Sequence, residues 1–177
     1  ELIALARARP GELTFASGGA GSAAHLAMEY FKLAAGVDIL HVPYKGTAPA
    51  VTDLIGGQVS MTMTGLPPVL QQVRAAKLRA LGVASLARLR QLPDVPTLAE
   101  AGLPGFEATQ WYGLVAPVRT PAPIVEALAA QVQRSLATPA FQERLEAEGA
   151  MPAAMDRAAF GRLIRTEIER WAKVVRD

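Results

Sequence analysis

The stretch FASGGAGSAAH, residues 15–25, decides the fold. It follows the apolar, β-prone LTFAS (13–17) and runs straight into SAAHLAMEYFKLAAG (22–36). In that second segment Leu26, Tyr30 and Leu33 recur at helical spacing, with Ser22 as a natural N-cap and Gly36 as a C-cap. A strand that hands over to a helix through three glycines and two serines marks an α/β unit whose turn holds something. Three chemistries use such a turn: a nucleotide's phosphates, a serine nucleophile, or a small free anion.

Outward from this turn the chain keeps an α/β rhythm. Leu2, Ile3, Leu5 and Ala6 form a helix face stopped by Pro10-Gly11. DILHVPY (38–44) reads as a second strand, TAPAVTDLIGG (47–57) as a helix with Pro49 in its first turn, and QVSMTMT (58–64) as a third strand. LPPVLQQVRAAK (66–77) reads as a helix and LRALGVAS (78–85) as a fourth strand. Such alternation predicts a mostly parallel sheet with right-handed crossovers. After Ser85 the text becomes proline-punctuated, with one short helix at Thr97–Ala101. TQWYGLVAPV (109–118) reads as one more strand, followed by helices near 121–137, 139–148 and 156–176.

The glycine turn fails the nucleotide and nucleophile patterns in turn. A Walker loop needs a lysine after its last glycine, and none follows. The hydrolase elbow needs glycines two residues either side of the serine; Ser22 has Ala20 and Ala24, and Ser17 has Phe15 and Gly19. Gly19-Ala20-Gly21-Ser22-Ala23-Ala24 does satisfy the dinucleotide fingerprint, yet the second strand ends in Tyr44-Lys45 where the ribose needs an acid. What survives is a compact anion site of backbone N–H groups and two hydroxyls at a helix N-terminus, with a purely structural turn as the alternative. Glycine there lets main chain approach a ligand without a Cβ in the way.

Composition narrows the classes further. The 177 residues are 51% hydrophobic and 19% charged, enough for a real core. With 18 basic against 16 acidic residues the net charge is only +2, and no basic, aromatic-rich stripe points to nucleic acid. Zero cysteines exclude disulfides, iron–sulfur clusters and thiol catalysis. No His/Asp/Glu spacing suggests a metal, and no cofactor is implied. No apolar run approaches the ~20 residues of a membrane span. The chain opens inside helical text, ELIALARARPG, without a methionine, and reads as a mature or truncated chain whose missing targeting segment says nothing about compartment.

The segments 13–61, LRALGVAS (78–85), LPDVPTLAEAGLPGFEATQWYGLVAP (92–117) and WAKVV (171–175) together resemble the tripartite tricarboxylate transporter solute receptors, the Bug-type periplasmic binding proteins. The resemblance covers essentially the whole chain, and HVPYKG (41–46), DLIGGQV (53–59) and LPDVPTLAEAG (92–102) make it specific. It implies a two-lobe receptor of periplasmic-binding-protein type II-like fold that captures a small carboxylate and delivers it to membrane permease subunits, without catalysis. Residues 1–105 would be a complete α/β lobe and 106–177 the C-terminal part of the other, with hinge crossings near Gly105–Thr109. Two loops would contact the ligand: Ser17, Gly18, Gly21 and Ser22 in the first, Thr64 and Gly65 in the second.

Tyr44 and Lys45 are equally a cleft edge or a structural turn. His25 reads first as a packing or capping residue and second as a ligand contact. His41, Trp111 and Trp171 read as structural. Two departures stand out: receptors of this kind begin with a further N-terminal stretch, and they frequently carry an acid where Thr64 stands. The first leads to the expectation of a lost segment or of self-association. Because residues 17–22 and 64–65 are free of acids, a carboxylate suits the loops better than a zwitterionic amino acid, whose ammonium needs a partner. A nucleotide-phosphate enzyme and a ligand-sensing module for a membrane sensor remain the alternatives.

Overall fold

Thr14–Ser17 forms β1, the central strand of a three-stranded parallel sheet in the computed structural model, which describes residues 1–176. Leu40–Pro43 (β2) pairs on one side, in the register Phe15 to His41, and Met61–Thr62 (β3) on the other. Period-2 alternation along β1 sends Phe15 to one face and Ala16 to the other. On the first face Phe15 joins Ala6, Met28, Phe31, Ala35, Ile39, Leu103 and Phe106 in one buried cluster. On the second, Ala16 packs with Ala50 and Val59. The sheet is therefore covered on both sides, as parallel sheets require.

Helices Leu2–Ala8 (α1) and Ala23–Ala35 (α2) supply the first layer. Ser22 caps α2, its hydroxyl accepting from the His25 N–H at 3.3 Å, and Gly36 ends it in the left-handed conformation at φ 60°. Both caps stand where the sequence places them. Thr47–Ile55 (α3) supplies the second layer through Ala50 and Val51. Among the described residues no helix is long and apolar enough to cross a membrane.

Between residues 58 and 101 four expected elements are shortened or absent. The third strand, expected over 58–64, is a two-residue ladder, because hydroxyls take over from the backbone: Thr62 Oγ1 donates to the Ala16 carbonyl, and Thr14 and Ser60 bond each other's backbone N–H through their side chains. The helix expected at 66–77 is only Leu70–Arg74 (α4). The fourth strand is reduced to one bridge, Val83 with Thr97, since the neighbouring segment carries Pro93 and Pro96, which cannot donate to a ladder. Thr97–Ala101 is a turn rather than a helix, though Thr97 and Glu100 bond each other's backbone N–H as a capping box does, at 2.8 and 3.1 Å.

Residues 109–118 form no strand. A strand exists through its ladder, and this segment finds none among the described residues; Leu114, Val115 and Val118 are exposed. The chain clusters into two compact units, residues 1–110 with the chain's end from Val174, and Trp111–Lys173. Phe106 stacks on Tyr30 at 4.7 Å and belongs to the core of the first unit. The second unit holds Ala122–Leu136 (α5), Pro139–Ala147 (α6) and most of Arg157–Arg176 (α7), close to the expected spans, and none of the three helices buries a residue fully.

Candidate functional site

Parallel strands place the loops that follow them at one edge of the sheet, the edge where open α/β sheets bind ligands. The loops after β1, β2 and β3 therefore share that edge, and the first two are stitched together. Tyr44 N–H donates to the Ser17 carbonyl at 3.0 Å, and Gly46 N–H to the Gly18 carbonyl at 3.1 Å. Glycine at 18 suits this close approach: a Cβ there would crowd the Thr47 nitrogen at 3.3 Å. Gly21 is required by conformation, at φ 75°.

The candidate residues divide sharply. Ser17 is buried, and its hydroxyl is fully used. It donates to the Gly19 carbonyl at 3.0 Å, accepts from Gly19 N–H at 3.1 Å, and meets His41 Nε2 at 2.6 Å. With the His41 nitrogen and both main-chain groups of Gly19 around it, the oxygen has no capacity left for a ligand. Ser17 thus shapes the turn from beneath. Ser22 is half-buried and its hydroxyl proton remains for an acceptor above the turn. Gly18 packs against α3, and the Gly21 amide is bonded at 3.1 Å to His25 Nδ1. Thr64 and Gly65 are half-buried just beyond β3. Tyr44 donates its hydroxyl to Asp53 Oδ2 at 2.8 Å, a strap onto α3 that raises its pKa, while Lys45 is exposed.

Sequence reasoning gave two features no part in the site. One is the start of α3, which it did place at Thr47. Gly46 caps it at φ 120° with no side-chain bond, so the first amides, of Thr47 and Ala48, have no acceptor within the helix, beside those of Ala23 and Ala24 at the start of α2. The signal was present in Gly46-Thr47-Ala48-Pro49, since proline in a first turn marks a helix N-terminus. The other is His41, whose ring stacks between Phe15 at 4.7 Å and His25 at 4.0 Å. Burial, and then the neighbouring His25, push its pKa down.

Two helix N-termini with free amides and a hydroxyl form an electropositive rim. Residues 17–22 and 44–48 carry one formal charge, that of Lys45. No group of three or more His, Cys, Asp or Glu able to hold a metal occurs among the described residues. The rim can hold a carboxylate through hydrogen bonds and the helix dipoles.

A parallel sheet with donor-rich turns at its carboxyl edge defines an α/β unit, which superposes on a structure of periplasmic binding protein BugD with a TM-score of 0.91 at 36% identity, covering 99% of this chain and 59% of that one. The chain belongs to the family described as the tripartite tricarboxylate transporter family receptor, whose model matches residues 1–177. It is 42% identical over 176 residues to Protein BugT of Bordetella pertussis, covering 99% of this chain and 54% of that protein. A structure of R. palustris Rpa4515 with adipate superposes with a TM-score of 0.94 at 39% identity, covering 99% of this chain and 58% of the other. MatC from Rhodopseudomonas palustris with bound malate gives 0.91 at 34% identity, covering 98% and 60%. The chain spans about half the length of the curated relatives it matches.

Proposed function

We propose that the chain is the carboxylate-holding part of an extracytoplasmic solute receptor, working in the periplasm and passing its ligand to a membrane permease. Residues 1–105 would supply one complete lobe and 106–177 part of the other. The observation that carries this reading is the donor rim: the Ser22 hydroxyl and the first amides of α2 and α3, without an acid in either loop. An ionised carboxylate satisfies such donors without a partner cation, whereas an ammonium group would find no acceptor there. Relatives solved with adipate and with malate support a dicarboxylate as the ligand. Ser22, Gly21 and the Thr64-Gly65 turn are the proposed contacts, with Ser17 and Gly18 holding them in place. Membership of a receptor family supports capture rather than catalysis as its role.

Native mass spectrometry of freshly purified protein should show a small carboxylic acid; a bound nucleotide would favour the phosphate-binding enzyme instead. Calorimetry then tests the contact. Ser22→Ala removes one charge-assisted hydrogen bond and should weaken adipate or malate binding by about 1.5–3 kcal/mol, roughly tenfold to a hundredfold. Unchanged affinity would leave Ser22 as a helix cap alone.

A further inference from the structure

The geometry of the glycine turn fixes the proton on His25. Gly21 N–H donates to His25 Nδ1 at 3.1 Å, so Nδ1 carries no proton and the ring's hydrogen sits on Nε2, which faces Glu29 Oε1 at 3.7 Å. His41 Nε2 meets the Ser17 hydroxyl at 2.6 Å. Charging His25 would add a proton at Nδ1, where it would meet the Gly21 N–H donor to donor. The charge on His25 and its hold on the Gly21 amide exclude each other.

We propose that His25 is a positioning residue that couples carboxylate binding to the uptake of one proton. Neutral His25 keeps the Gly21 amide for itself. A carboxylate oxygen replaces Nδ1 as the acceptor of that amide when the ring is an imidazolium, whose new Nδ1–H then faces the anion as a donor and countercharge. The inference rests on the reading of the turn as a carboxylate site and adds a pH-dependent competitor within it.

The surroundings of the ring suit this role. From α2, the Glu29 carboxylate stands on the Nε2 side, and Lys32 pairs with it at 2.9 Å. From β2, His41 lies against the ring face, and from β1, Phe15 stacks with its centroid 6.2 Å away. Burial, and then the neighbouring His25, lower the pKa of His41. Half-burial of His25 leaves its edge open to an incoming anion.

Calorimetry with adipate between about pH 6 and pH 8, where the ligand stays ionised, tests the coupling. Binding should tighten by about threefold to tenfold on going to the lower pH, with net proton uptake revealed by buffers of different ionisation enthalpy. His25→Gln keeps a hydrogen-bonding side chain that does not titrate and should bind equally at both pH values. Wild-type binding that is flat in pH and takes up no proton overturns the inference alone, as does an unchanged slope in His25→Gln. No binding of adipate or malate at any pH overturns the carboxylate site and the inference with it. Nitrogen-15 NMR of the unliganded wild-type protein gives a second readout independent of the variant's folding: His25 should be the Nε2–H tautomer when neutral, and an Nδ1–H tautomer overturns the proposal.

Discussion

Phe15→Ala is expected to cost about 3–5 kcal/mol of stability, the range for removing a buried aromatic ring that its surroundings cannot replace. Phe15 is fully buried on the central strand and joins α1, α2 and the Leu103–Phe106 turn in one cluster. Its ring also carries the His41 and His25 stack that underlies the glycine turn. Against a typical domain stability of about 5–15 kcal/mol the loss is a large share, so the variant should unfold at markedly lower urea. Both tryptophans, Trp111 and Trp171, belong to the second unit, so amide hydrogen exchange in α2 is the readout that follows the first. Leu86→Ala, at a side chain 71% exposed, is the control and should change stability by less than about 0.5 kcal/mol. A Phe15→Ala variant within about 1 kcal/mol of wild type would refute the packing described for this face.

The first half of the fold is legible because local signals and tertiary packing agree there. Ser22 and Gly36 bracket α2, and Phe15 and Ala16 alternate between two covered faces. Pro121 and Pro139 mark the starts of α5 and α6 for the same reason, at a position where a missing N–H costs nothing. The strands expected at 78–85 and 109–118 fail because apolar, β-prone composition says that a segment fits a sheet, not that a sheet edge is there to receive it. Next to the first stand Pro93 and Pro96, and the second meets no ladder among the described residues.

The site shows the same division at the level of single residues. That the glycine turn and the turn beyond β3 lie at one edge follows from reading parallel strands. Which serine faces out was also available, had the pleat been followed one step further. Ser17 is two residues beyond Phe15 and shares its inward face, whereas Ser22 stands at the start of a helix. The pairing of His25 with the Gly21 amide was not legible, because it depends on how a ring on α2 folds back over its own N-terminus.

Ser17→Ala and Ser22→Ala should therefore separate stability from binding. Removing the Ser17 hydroxyl strips a partner from His41 Nε2 and from both the N–H and the carbonyl of Gly19, all beneath the turn. Alanine fits the volume but leaves His41 Nε2 and the Gly19 N–H without that bond, while the Gly19 carbonyl keeps the Ser22 N–H at 3.1 Å; an unsatisfied group beneath the turn costs about 1–3 kcal/mol, so a loss of about 2–4 kcal/mol is expected. Ser22→Ala gives up a half-exposed cap, worth about 1 kcal/mol. Affinity should follow the opposite order in direct contact: Ser22 touches the ligand in the proposed site, while Ser17 acts on it only by holding Gly19 and His41. Urea unfolding and adipate calorimetry on the two variants give the comparison, with adipate titrated at a temperature where both remain folded. If Ser22→Ala proved the more destabilising, or if Ser17→Ala in the folded state lost more affinity than Ser22→Ala, the inward role of the first serine and the outward role of the second would have to be exchanged.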